Sequence, residues 1–174
     1  MPARCGRLPL GFAQLANIGG LEVPIESLRE RIIHLNQAYS AGERTFLVDT
    51  LHENIDWRCY ISAEALPIPN RVIGKWHVIE AWRKIDAELE LVRNDILFLV
   101  AEEDRAAIIY DRALRQRKTN RVLRLKVGTF HRYQDNKLIE SQEFGDGLEL
   151  LEQTLGRSIN APSAYEPDPV LPKR

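Results

Sequence analysis

From Asp95 to Phe144 the chain alternates strand-length segments with short polar breaks, and no other stretch constrains the fold as strongly. Asp95 to Ala101 is almost wholly apolar, and Arg105 to Gln116, Arg121 to Tyr133 and Lys137 to Phe144 follow as three more strand-length segments. The breaks Glu102-Glu103-Asp104, Arg117 to Asn120 and Gln134-Asp135-Asn136 are as short as hairpins require. Asn120 and Asn136 tolerate the left-handed backbone such turns need. Successive hairpins predict an antiparallel sheet.

The first half reads differently. Ile25, Leu28, Ile32, Leu35 and Tyr39 recur every three or four residues, with Pro24 suited to a first helical turn and Gly42 to a stop, which predicts a helix starting near Pro24. Glu43 to Leu51 predicts a second, short helix. His52-Glu53-Asn54 reads as a turn-like break before a half-buried strand in which Ile55, Trp57 and Cys59 alternate with polar neighbours. Ser62 to Gly74, with Pro67, Pro69, Asn70 and Gly74, reads as a loop. Lys75 to Leu91 predicts a third helix, its inner face carrying Val78, Ile79, Trp82, Ile85 and Leu89. Leu148, Leu151 and Leu155 suggest a last helical turn between Gly145 and Gly156.

A chain of 174 residues with 44% hydrophobic and 28% charged residues is about one globular domain long. We divide it into an N-terminal extension over 1–22, a domain over 23–157 and a proline-rich, mobile tail over 158–174. A formal net charge of −1 provides no overall basic field, so nucleic acid is not an expected partner. Cys5 and Cys59 match neither a disulfide framework nor a zinc spacing, so no metal is expected and a reducing, cytoplasmic setting is. The apolar run near the N-terminus is too short and too polar to span a bilayer, so no membrane partner is expected. No phosphate loop, HExxH or nucleophile-elbow motif occurs, and no cofactor is expected.

Three stretches carry a family resemblance: Tyr39-Ser40-Ala41-Gly42-Glu43 at a helix end, Asn54-Ile55-Asp56-Trp57 in a strand, and Thr129 to Ile139 across a hairpin in which Asn136 stands where glycine is usual. Glu143-Phe144-Gly145-Asp146 adds a strand end of the same kind. Together with the element order, these residues resemble the nuclear transport factor 2-like superfamily and its SnoaL-like members, from Ile25 to Gly156. The resemblance implies an α+β fold, with a curved antiparallel sheet packed against three helices of the N-terminal half to form a cone with a central pocket. It also implies a homodimer through the outer face of the sheet. Set on the ketosteroid isomerases, it puts Cys59 at the general-base aspartate, Leu35 at the oxyanion tyrosine and Thr129 at the protonated aspartate, so enolising chemistry lacks both base and donors. Set on the limonene epoxide hydrolases, it puts Arg112 on the arginine-bearing strand and Glu143 at the second acid, but Leu114 where the first acid belongs.

Strand alternation names the pocket wall without reference to any family. If Leu123, Leu125 and Val127 face inward, so do Thr129, His131 and Tyr133; Tyr110 and Arg112 go with Ile108, and Glu143 goes with Ile139 and Ser141. Arg112, His131 and Glu143 are the candidate catalytic residues: Glu143 as base or acid, Arg112 as electrostatic stabiliser, His131 as proton relay. The competing reading is an ion pair at the pocket mouth. Trp57, Cys59, Trp82, Tyr110 and Thr129 are the candidate ligand contacts. The tryptophans, Trp76 included, read first as core, and Cys59, with no visible histidine partner, as an inert buried thiol.

Between Arg112 and Lys126 lie seven basic residues and no acid, a hairpin able to meet an anionic partner or to be compensated internally by the acidic stretch from Asp86 to Asp104. Two main functional classes fit the sequence: an enzyme of water or proton transfer on a small, largely apolar molecule, and a non-catalytic binding or dimerisation module of the same fold.

Overall fold

The computed structural model describes residues 26–159 and the strands at 15–18 and 21–24. Residues 1–14 and 19–20 of the expected extension, and 160–174 of the expected tail, lie outside the described residues. Strands β1 (Leu15–Ile18) and β2 (Leu21–Pro24) pair antiparallel as a two-stranded ribbon. Pro24 therefore closes a strand and does not open the first helix.

Helix α1 (Leu28–Ala41) begins one residue after Ser27, whose hydroxyl accepts the Glu30 N–H while Glu30 accepts the Ser27 N–H at 2.9 Å. This reciprocal cap satisfies two otherwise orphaned donors, a signal that outweighs Pro24. The helix ends at Gly42, whose φ of 80° is left-handed as the stop requires. Helix α2 (Arg44–Asp49) leads into strand β3 (Leu51–Cys59). His52-Glu53-Asn54, expected as a break, lies inside β3. Leu51 pairs with Leu138 and Asp56 with Glu140, so five residues advance on one strand against two on the other, and the polar triplet takes up the surplus as an irregularity. The expected loop holds a short strand, β4 (Arg71–Ile73).

Helix α3 (Lys75–Glu88) stops three residues earlier than its periodicity predicts, and Leu89 opens strand β5 (Leu89–Glu102). Strands β6 (Arg105–Gln116), β7 (Val122–Gln134) and β8 (Lys137–Gly145) follow through the expected hairpins, with Glu103, Asn120, Asp135 and Asn136 at φ between 50° and 62°. The sheet order is β4-β3-β8-β7-β6-β5. The hairpin-joined strands β5 to β8 are antiparallel, as expected, and so are β3 and β4, while β3 and β8 run parallel. Irregular register in β5 near Val92 and Leu97, and in β8 at Ile139, bends the sheet around its inner face.

Helices α1 to α3 close over that face. The larger core cluster joins Ile55, Val78, Leu123 and Val127, and a second joins Ile32 of α1 to Ile108, Tyr110 and Tyr133. A fourth helix, α4 (Gly147–Leu155), packs on β7 through Leu150, which is 0% exposed. Leu148 and Leu155, two of the leucines that suggested this turn, are exposed, whereas Leu150 faces the sheet, and Asp146 caps the helix by accepting the Glu149 N–H. Trp76 is also exposed, at the solvent side of α3's first turn. Strand β5 is bare outside: Leu97, Phe98 and Val100 are exposed, so its apolar run does not report burial on both faces.

Candidate functional site

A cavity of about 170 Å³ lies between the helices and the inner face of the sheet. That is room for far more than one water, which needs about 10–15 Å³. Arg112, His131, Glu143, Trp57, Cys59, Trp82, Tyr110 and Thr129, the residues singled out from sequence, all border it. Ile139 does not: it is the extra residue where Tyr133 pairs with Leu138 but Arg132 with Glu140, so Leu138 takes the inward position that simple alternation assigns to Ile139.

Cross-strand register explains the grouping. Cys59 of β3, Glu143 of β8, Thr129 of β7 and Ile108 of β6 stand side by side in one inward row, and Trp57, Ser141 and His131 form the next. Glu143 accepts the Trp57 indole N–H at 2.9 Å on one oxygen, and its other oxygen stands 3.9 Å from Arg112 Nη1. Arg112 donates Nε–H to Asn94 Oδ1 at 2.7 Å, and its guanidinium lies 5.8 Å from the Tyr39 ring and 5.6 Å from the Tyr110 ring. Burial opposes its charge, but Tyr39 and Glu143 outweigh that and raise its pKa, so Arg112 stays a cation.

Burial favours the neutral form of four other groups here, His131, Tyr133, Cys59 and Tyr110. Burial lowers the His131 pKa to about 4. Its Nδ1 lies 3.4 Å from the Tyr133 hydroxyl, whose pKa burial pushes up to about 12. Burial, followed by the charge of Glu143, pushes the Cys59 thiol up to about 11, which favours the inert-thiol reading over the nucleophile. Burial also raises the Tyr110 phenol well above its ordinary value. Among the described residues, no three His, Cys, Asp or Glu side chains are grouped to hold a metal.

Sequence reasoning missed Asn94 and Asn36. Asn94 is 4% exposed, sits opposite Arg112 across the β5–β6 ladder, and donates to Asn36 Oδ1 at 2.6 Å, while Asn36 donates to the Asn94 carbonyl at 3.0 Å. Asn36 shares the helical face of Ile32 and Tyr39, a readable signal; Asn94 was hidden by the placement of 89–94 outside the strand. Arg44 of α2 and Asp86 of α3, 2.7 Å apart, also border the cavity and bridge two helices. Of the basic hairpin, Arg115 pairs with Glu90 at 3.2 Å and Arg117 donates to the Asp86 carbonyl, so the acidic stretch compensates part of it.

Comparison with solved structures decides the fold. A candidate isomerase from Rhodopseudomonas palustris is similar over 71% of this chain and 91% of its own, at 27% identity and a TM-score of 0.65. A SnoaL-like protein from Mesorhizobium loti, described as a candidate polyketide cyclase, matches over 68% and 99% at 10% identity and a TM-score of 0.56. The chain has the nuclear transport factor 2-like fold. A protein of ketosteroid isomerase-like fold from Catenulispora acidiphila, in complex with trimethylamine, shares this fold over 81% of the present chain and 100% of its own, at 14% identity and a TM-score of 0.63. No protein-family model and no curated protein matches the sequence. Within this nuclear transport factor 2-like scaffold, the positions that the resemblance assigns to isomerase chemistry, Leu35, Cys59 and Thr129, do border the cavity, and none is a carboxylate. No helix among the described residues is long and apolar enough to cross a membrane.

Proposed function

We propose that this protein binds a small, largely apolar molecule in the cavity of its nuclear transport factor 2-like fold, with Arg112, Glu143 and His131 serving the molecule's polar end. The observation that carries this reading is the cavity itself: mainly apolar walls with a few polar side chains gathered on β6, β7 and β8, the usual composition of a small-molecule site. In the catalytic form of the proposal Glu143 moves a proton as base or acid, Arg112 stabilises developing negative charge, and neutral His131 relays a proton with the Tyr133 hydroxyl beside it. In the non-catalytic form the apolar walls of the same cavity hold an effector. Glu143→Gln, isosteric and still able to accept the Trp57 N–H, separates them: it abolishes turnover in the first and keeps affinity in the second.

Ligand-observed NMR with indane, an apolar bicyclic probe, tests the common part. The expected result is saturable binding that disappears in Cys59→Phe, which fills the cavity wall. Absence of saturable binding, or binding indifferent to that substitution, sinks the proposal.

A second copy of the chain is our proposed partner. Phe98, Ile109, Phe130 and Phe144 are exposed on the outer face, and Phe130 and Phe144 meet edge to face at 5.8 Å. Gly128 lies between Ile109 and Phe144 in the ladder, and a Cβ there would meet nothing within 4 Å, so the monomer itself gives no steric reason for a mid-strand glycine. Glu102, Arg105, Arg132 and Glu140 line a groove beside this patch with both signs balanced, so opposite charges can meet across a two-fold contact. Light scattering should give a dimer for the native chain and a folded monomer for Phe130→Glu; a native monomer contradicts the assignment.

A further inference from the structure

The cavity meets solvent on its helical side. Of the residues that border it, Ile55, Cys59 and Leu125 on the sheet are buried, whereas Tyr39 of α1, Arg44 of α2 and Trp82 and Asp86 of α3 are partly exposed. Helix α2 lies on this side, and Arg44, Leu47 and, just after the helix, Thr50 form part of the cavity wall. A helix of six residues is too short to hold itself together, so contacts with the rest of the fold must hold it. Those contacts are few: Leu47 is its only buried side chain, no side chain caps its first turn, and Phe46 is exposed.

The two ends of α2 are held differently. At its C-terminal end the Thr50 carbonyl accepts the Leu138 N–H at 2.8 Å, and the Asp49 carbonyl accepts a proton of Lys137 Nζ at 2.7 Å, which ties the chain to β8. At its N-terminal end Arg44 pairs with Asp86 of α3 at 2.7 Å, and its guanidinium lies 4.6 Å from the Tyr39 ring. Among the described residues no other ion pair joins α2 to α3. The two side chains are 36% and 39% exposed, so water and salt reach the pair and keep it weak. Gly42, just before the helix, has a φ of 80°, and a Cβ there would meet nothing within 4 Å, so no neighbour is packed against that side of the joint.

From the thinly held helix, its anchored C-terminal end and the weak pair at the other end, we infer that α2 is the lid of the cavity, flexing at Gly42 and latched by Arg44 on Asp86. Breaking the pair frees the Arg44 end and opens a way into the cavity beside Tyr39 and Trp82, while the sheet stays folded. The lid governs entry to the cavity, and so rests on the reading of that cavity as a binding site.

Cys59 reports the opening, since it borders the cavity and is 2% exposed. Methyl methanethiosulfonate, a small uncharged probe, is added to the full chain, and the peptide carrying Cys59 is followed by mass spectrometry. The Cys59 thiol gives its proton to water, the thiolate attacks the sulfenyl sulfur, methanesulfinate leaves and a methyl disulfide remains. When reclosing outpaces reaction, the rate follows the open population. Native labelling should hardly change in low urea, as a small local opening requires, whereas labelling through global unfolding rises steeply with urea. Arg44→Gln and Asp86→Asn should each label about three- to tenfold faster than the native chain, and the double variant no faster than the faster of the two. Raising salt from about 0.05 to 0.5 M should speed native labelling and leave that of Arg44→Gln unchanged. The inference is overturned if native labelling climbs with urea as global unfolding does, or if both single variants label at the native rate. Indane titrations, run alongside, keep the two readings apart. Indane binding together with native-rate labelling in the variants removes the lid and leaves the binding site; faster labelling without indane binding removes the binding site and leaves the lid.

Discussion

In the folded chain His131 stays neutral down to about pH 4, because the cavity wall denies its cation the water that would solvate it. Once unfolded, the same ring takes up its proton near the ordinary value of 6.5. Between those two values the unfolded state binds the extra proton, so stability falls as the pH falls. Above 6.5 both states are neutral, and below about 4 both are charged and the loss is complete. At 1.36 kcal/mol per pH unit, the full interval corresponds to about 3 kcal/mol, with about 2 kcal/mol already lost by pH 5. The surface His131 keeps faces cavities, so water entering there trims these figures. Against a total stability of about 5–15 kcal/mol for a domain, this is a large effect. Urea unfolding of the native chain and of His131→Gln, at pH 7.5, 6, 5 and 4.5, isolates it, since glutamine does not titrate and the other groups cancel in the difference. The stability of the native chain relative to the variant should fall by about 2–3 kcal/mol from the highest to the lowest pH. A difference that stays constant across that range would refute the claim that the cavity dehydrates this side chain.

Asp56 acts in a lower window: hydrogen bonds from Arg71 and then Arg58 hold its carboxyl at about 2 instead of 3.8, so its contribution is present above pH 4 and lost towards pH 2. Asp56→Asn should cost about 1–2 kcal/mol at pH 7, with the exposed arginines discounted, and flatten the acid limb of the stability curve. Leu150→Ala should cost about 2–5 kcal/mol by chemical denaturation, because the only fully buried side chain of α4 is the one removed. Trp57→Phe and Glu143→Ala, combined in a double-mutant cycle, should couple by about 1–2 kcal/mol through the indole hydrogen bond; additive effects contradict its 2.9 Å geometry.

Much of the wall was legible before any coordinates. In β7, Leu123, Leu125, Val127, Thr129, His131 and Tyr133 all face inward, because consecutive side chains of a regular strand must alternate and one buried member orients the rest. The hairpins at Asn120 and Asn136 were equally readable, since left-handed backbone is a local property of the residue that adopts it. The capping box at Ser27 was present in the sequence too, though the helical period drew attention to Pro24 instead.

What tertiary structure alone decided depends on how distant strands meet. The exchange of Ile139 for Leu138 on the cavity wall, the absorption of His52-Glu53-Asn54 into β3, and the inward turn of Asn94 all follow from register between strands far apart in sequence. The parallel β3–β8 pair joins segments that have β4, α3 and β5 to β7 between them in the chain. Alternation and turn chemistry act through neighbouring residues and can be read along the chain, whereas register, irregular pairing and an exposed apolar face arise from packing between segments that the chain brings together only on folding.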